Sequence, residues 1–269
     1  MAARCHGDGV PDASPSPLKI RDYRFYWVAR LCAVMATTGM VVILGYQVYD
    51  VARSAYGMSI REAAFLLGVL GAAQFVPYML LTPVAGVVAD RFDRRHVVAI
   101  AIAVDFMIAI ALALATAWGV HNLPLLFALA ALHGGARVFV NPSLSAIPAN
   151  IVPAESLPRA IGLSSIAFQV GTVAGPAGAG FLYGSHPSAA YWTSAALIAV
   201  AAMATLAIRR LPPPPQAREH HPVRQMVDGF RYVWNERFLL GCVTLDLFAV
   251  LLGGATALLP VFARDILHV

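Results

Sequence analysis

Four ionisable side chains, Arg30, Asp105, Arg137 and Asp246, stand inside long apolar runs of this sequence, and they mark where it could do chemistry. A charge at membrane depth costs about 2.5 to 3.5 kcal/mol on insertion scales, so each needs a partner, water or, for a carboxylate, a proton. Desolvation raises a carboxylate's affinity for protons and a neighbouring guanidinium lowers it, so an acid that alternates between the two surroundings binds and releases a proton. Asp246 lies roughly 10 Å along its run from Leu239, beyond easy snorkelling for so short a side chain. Asp105 is near mid-depth and reads equally as half of a structural pair or as a coupling acid. Arg30 is close enough to the end of its run to snorkel outward. Gln47, Gln74, His133, Asn141 and Gln169 add polar atoms, as hydrogen bonds between helices or, for Gln47, Asn141 and Gln169, as contacts to a substrate. Enzyme chemistry is not indicated: no His-Glu-x-x-His, Gly-x-Ser-x-Gly or glycine-rich phosphate loop occurs. Cys5, Cys32 and Cys242 have no metal-ligand spacing and the histidines are scattered, so no metal and no cofactor are expected.

The elements that hold these groups at depth are seven predicted spans, at 25–49, 63–88, 97–118, 123–148, 160–183, 189–208 and 239–262. Each supplies roughly 20 apolar residues, enough to cross about 30 Å of hydrocarbon. Apolar residues fill 59% of the 269 positions and charged residues 12%, where soluble domains hold about 45–50% and about 25%. A soluble chain of this size has no core able to hide that excess, so the expected fold is an all-α integral membrane bundle surrounded by lipid. The formal charge of +5 does not point to nucleic acid, because the arginines fall between apolar runs and are not interleaved with aromatics. Residues 1–17 lack the basic-then-apolar layout of a cleavable signal, which leaves the first span as its own insertion signal.

Connectors are short except 209–238, where Pro212 to Pro215 end the sixth span. Beyond them Val223, Met226, Val227, Phe230, Val233 and Trp234 recur at helical spacing, as in an amphipathic helix on the membrane surface. The predicted organisation is a cytoplasmic segment 1–24, a six-helix bundle 25–208, a cytoplasmic linker 209–238, and 239–269 as the first helix of an incomplete second bundle. With the N-terminus in the cytoplasm, fourteen Lys and Arg residues fall on that side and three (Arg53, Arg61, Arg264) on the other. The positive-inside rule therefore orients the N-terminus inward and, after seven spans, the C-terminus outward.

Between the second and third spans runs Gly86-Val-Val-Ala-Asp90-Arg91-Phe-Asp93-Arg94-Arg95, which resembles the signature loop of the major facilitator superfamily. Gly86 would let helices approach, Asp90 could face an arginine or a helix N-terminus, and Arg94 and Arg95 would anchor on anionic lipid. Asp93 stands where the family usually has a second glycine. The fifth span carries Gly171-Thr-Val-Ala-Gly175-Pro176-Ala-Gly178-Ala-Gly180, similar to the glycine-proline motif of the superfamily's antiporter branches. Further stretches resemble the branch of exporters like the enterobactin exporter: Tyr46 to Asp50, Asn141-Pro142 with Ala146 and Pro148, Val152 to Ala160, and Leu259 to Asp265. Ala130 departs from the pattern of many drug antiporters, which carry an arginine four residues before the glycine that here is Gly134.

The resemblance implies a fold of twelve spans, of which this chain would supply the N-terminal bundle plus one helix, with the fourth and seventh spans on the wall of a central cavity. It implies a secondary active inner-membrane exporter of small amphipathic molecules, siderophore or drug-like, working by alternating access and driven by protons. Its partners would be the small-molecule substrate, protons, the lipid bilayer and a missing C-terminal half, with no nucleic acid. On that wall Arg137 and Asp246 would be the charges placed for substrate or proton coupling, or else a structural ion pair with no transport role. One alternative is a truncated fragment or half-transporter inactive by itself; another is a non-transporting receptor, although retinal attachment is excluded because the lone lysine is Lys19.

Overall fold

A computed structural model describes residues 16–92, 94–209 and 231–252, with side chains described at these positions except 87, 89–91, 94, 95, 141–143 and 250–252. The helices are α1 (Arg21–Ser54), α2 (Ile60–Arg91), α3 (Arg94–Ala117), α4 (Leu123–Ala146), the single turn α5 (Pro148–Ile151), α6 (Leu157–Ser185), α7 (Pro187–Ala207) and α8 (Arg237–Leu252). Among the described residues six stretches are long and apolar enough to span a membrane: α1, α2, α3, α4 with α5, α6 with the turn before it, and α7. They coincide with the first six predicted spans. The predicted seventh lies partly outside the described residues. Its described part is α8, which begins two residues earlier than expected. Of the predicted surface helix, residues 231–235 are helical and Val223, Met226, Val227 and Phe230 lie outside the described residues.

Local chemistry sets the helix ends. Ser59 Oγ accepts from the Glu62 backbone N–H at 3.3 Å while Glu62 Oε2 accepts from the Ser59 N–H at 2.8 Å, a reciprocal cap that starts α2. Asn122 Oδ1 accepts from the Leu125 N–H at 3.1 Å to start α4. Gly57 and Gly119, at φ of 64° and 65°, turn the chain after α1 and α3 in a conformation other residues adopt at a cost. Pro158 and Pro187 occupy first-turn positions, where a missing N–H costs nothing.

α1 is the central post, packed along α6 and α7, while α4 packs along α2 and α3, and α3 meets α7. Exchange α1 with α4, α2 with α6, and α3 with α7, and this set of contacts maps onto itself. Each unit of three spans crosses the membrane an odd number of times, so the second unit runs inverted relative to the first, the arrangement of nested inverted repeats. Tyr23, Tyr26, Met40, Ile43, Leu44, Leu112, Leu126, Tyr191 and Ile198 fill the core between these helices. α2 and α6 are the least buried spans. Phe65, Phe75, Met79 and Leu80 on α2, and Ile161, Val173 and Phe181 on α6, turn outward, as apolar side chains in a lipid solvent can.

Candidate functional site

Three polar clusters occupy the bundle, at mid-depth, at one end, and at the other. At mid-depth, His133 Nδ1 on α4 and Asp105 Oδ1 on α3 lie 2.7 Å apart, with side chains 0% and 2% exposed. Packing places them. A Cβ on Gly134 would fall 2.8 Å from the Gln74 Cα and closer still to the Gln74 carbonyl oxygen, so only glycine admits the backbone of α2 there. With Gly134 against α2, the adjacent His133 turns onto α3. Its Nε2 is buried and meets no hydrogen-bond partner. Arg137, one turn along α4, is half-buried and within electrostatic reach of Asp105 and of Tyr78 on α2. A void of about 10 Å³, about the size that admits one water, touches Asp105 and is otherwise lined by Thr37 and apolar side chains including Ile102, Val140 and Ile198. Asp105 and His133 thus form a closed pair between α3 and α4, with Arg137 one turn further along α4.

At the end where α1 and α3 finish, Gln47 Nε2 donates to Thr116 Oγ1 at 2.8 Å and Tyr191 OH donates to Gln47 Oε1 at 2.6 Å. Both faces of the Gln47 amide are therefore engaged in tying α1 to α3 and α7. Beside them a cleft of about 480 Å³ opens between Gln47, Asp50, Thr116, His121 and Tyr183. Tyr183 OH donates to Asp50 Oδ2 at 3.4 Å.

At the opposite end, α1 is bound to α6 by Tyr23 OH donating to the Ala160 carbonyl at 2.7 Å, Tyr26 OH bonded to Ser164 Oγ at 2.6 Å, and Trp27 Nε1 donating to the Leu163 carbonyl at 3.0 Å. One turn further, Arg30 reaches Ser145 Oγ on α4 at 3.4 Å, and its guanidinium lies 5.6 Å from the centre of the Phe168 ring on α6. Gln169 follows on the exposed side of α6.

The other expected residues separate. Asp90 and Arg91 close α2, and Arg94 and Arg95 open α3, with their side chains outside the described ones. So is the side chain of Asn141. A Cβ on Gly86 would meet nothing within 4 Å, so the close helix approach expected there is not made to a described neighbour. The fifth-span motif divides. Gly171 and Gly175 sit tightly against Val34, Met35 and Thr38 of α1, while a Cβ on Gly178 or Gly180 would meet nothing within 4 Å; Gly180, five positions on from Gly175, points away from the contact face. Pro176 lies inside α6. Asp246 is exposed on α8, and the acid near Arg137 is Asp105. His133, Thr116, Tyr183 and Tyr191 carry roles that their types alone did not assign. A histidine one turn before an intramembrane arginine was the available signal.

Residues 26–269 match the Major Facilitator Superfamily, across the bundle and α8 alike. The chain belongs to that superfamily. Similar curated proteins include the enterobactin exporter EntS of Shigella boydii serotype 18, 27% identical over 245 residues, which cover 90% of this chain and 56% of that protein. EntS of Escherichia coli O1:K1 / APEC matches over the same shares, again at 27%. Multidrug resistance protein 1 of Bacillus subtilis (strain 168) is 25% identical over 175 residues, 65% of this chain and 43% of that protein. The chain spans about half the length of the curated relatives it matches. As a superfamily member it is a multi-pass membrane protein, and its six described spans make one six-helix bundle of the superfamily's fold.

Proposed function

We infer that this chain supplies the N-terminal bundle and the next helix of a secondary active exporter of small amphipathic molecules in the inner membrane, coupled to protons and working by alternating access. The observation that carries the coupling is the Asp105–His133 pair, a titratable couple sealed between two helices with one imidazole nitrogen unpartnered. Protonating Nε2 would leave a second imidazole N–H with no described partner in a closed site, so uptake requires α3 and α4 to admit water, which links protonation to a change of state. Asp246 on α8 is the second place where a proton could bind. The bare faces of α2 and α6 suit further helices of the same fold, so a half-transporter that needs a C-terminal bundle is the companion reading.

In vesicles energised by an imposed pH gradient, amphipathic probes such as ethidium should provoke proton exit reported by a pH dye. His133→Asn keeps a donor near Asp105 but does not titrate, and it should abolish that exit. If His133→Asn responds like the parent and Asp246→Asn does not, the acid on α8 is the coupling group. No proton movement with any probe means that the chain does not perform coupled export unaided.

Orientation has its own test. Asp22 Oδ2 meets Arg209 Nε at 3.2 Å, which holds the start of α1 and the end of α7 on one side, together with Lys19, Arg21 and Arg24. That side is assigned to the cytoplasm. A phosphatase active only outside should work when fused after Gly119, and β-galactosidase should work after Arg209; the reverse pattern overturns the orientation.

A further inference from the structure

We propose that Arg30, Phe168 and Ser145 form a binding site for a small organic anion carrying an aromatic ring, at the end of the bundle where α1 and α6 begin. The assignment rests on the exporter reading in naming that anion as the transported class, but the site stands on geometry.

Arg30 is nine residues into α1, roughly 14 Å along the helix from Arg21. Its Nε is buried and has no hydrogen-bond partner. No carboxylate pairs with it among the described residues, whereas Asp22 is taken by Arg209 and Asp105 by His133. Its polar contact is a neutral hydroxyl, Ser145 Oγ at 3.4 Å, at the long limit for such a bond. A guanidinium presents five donors in a flat fork suited to a carboxylate, sulfonate or phenolate, and most of that capacity is unused here. The Phe168 ring, 37% exposed, lies under the guanidinium at 5.6 Å and offers a free edge on which a second aromatic ring can stack.

The surroundings favour an anion over a cation. Arg137 carries the same sign on α4, and its counter-charge Asp105 is sealed on α3. On α6 the exposed positions beside Phe168, Ser165, Ile166, Gln169 and Val170, are all uncharged. Three elements converge there, α1 through Arg30, α4 through Ser145 and α6 through Phe168, and none brings a described acid. A cationic drug would be repelled by Arg30 and find no described acid, while an aromatic anion would satisfy the guanidinium and bury its ring. A lipid phosphate offers the first of these interactions without the second.

The test uses the full chain in nanodiscs of zwitterionic lipid and equilibrium dialysis with labelled salicylate, its neutral amide salicylamide, and benzyltrimethylammonium. Salicylate should be retained at least about tenfold better than either of the others, Arg30→Gln should remove that preference, and Phe168→Leu should weaken salicylate about fivefold. Equal retention of the three probes, no retention, or unchanged retention of salicylate in Arg30→Gln overturns the site. Should Arg30→Gln fail to fold, Arg30→Lys replaces it, with the planar fork lost and salicylate weakened about threefold or more. A parallel set in phosphatidylglycerol nanodiscs separates the sources: salicylate still bound supports the small anion, and its displacement there assigns the site to lipid headgroups instead. Charge-selective binding in a chain that moves no protons would leave this site standing while the coupled-export reading fell.

Discussion

Gly134→Ala and Gly175→Ala are each expected to lower bundle stability by about 3 kcal/mol, while Gly178→Ala and Gly180→Ala are neutral or stabilising by about 0.5–1 kcal/mol. The difference is geometric. A methyl on Gly134 would collide with the backbone of Gln74 on α2, and one on Gly175 would fall 2.9 Å from the Met35 Cα on α1 and nearer to its carbonyl oxygen. Backbone cannot swing aside as a flexible side chain can, so α4 would part from α2, or α6 from α1, along the whole contact. At Gly178 and Gly180 a methyl meets nothing within 4 Å and only improves helix propensity. Unfolding in mixed micelles by added SDS, followed by helical circular dichroism, reads the effect as a shift in midpoint. Similar shifts for all four variants would mean that these helices are not in backbone contact at Gly134 and Gly175.

Asp105→Asn should destabilise by about 3 kcal/mol and His133→Asn by about 1 kcal/mol, although the two residues share one hydrogen bond. His133→Asn keeps the Asp105 carboxyl, with an amide donor close to the former Nδ1 and Arg137 nearby. Asp105→Asn removes the negative charge from a group that still contains Arg137, and a half-buried guanidinium within the bilayer then has no described anion in reach. Adding Arg137→Leu to Asp105→Asn should recover much of the loss, because it deletes the stranded cation. The same SDS titration measures all three. Equal losses in the two single variants would show that Arg137 does not depend on Asp105, and no recovery in the double variant would show that Arg137 is stabilised elsewhere.

Much of the membrane architecture was legible in the sequence because its cause is local. An apolar run of about 20 residues between arginine-bearing connectors can be little else than a span, and the helices extend each of the first six runs by a few residues at most ends. Caps such as Ser59 with Glu62 follow from residue type and spacing. The Asp90–Arg95 loop and the Gly171–Gly180 stretch carry the resemblance to the superfamily that residues 26–269 match.

The partners of the buried polar groups were not legible, because they depend on which face each helix turns to which neighbour. Asp105 and His133 are 28 residues apart in the chain, and nothing in either segment names the other. Their meeting is decided by Gly134, whose missing side chain fixes the rotation of α4 against α2. Gln47 reads from its type as a hydrogen bond between helices or as a contact to a substrate, and only the packing brings Thr116 and Tyr191, from two other helices, to both ends of its amide. Arg30 reads as a side chain that escapes to the surface, and the convergence of α1, α4 and α6 gives it Phe168 and Ser145 in place of bulk water. The sequence by itself determined where the chain enters and leaves the bilayer and which charges it carries into it, since hydropathy acts one segment at a time. Which of those charges are paired and which are left open was decided by the tertiary structure, because in a solvent without hydrogen bonds a polar group's partner must come from whichever helix the packing places beside it.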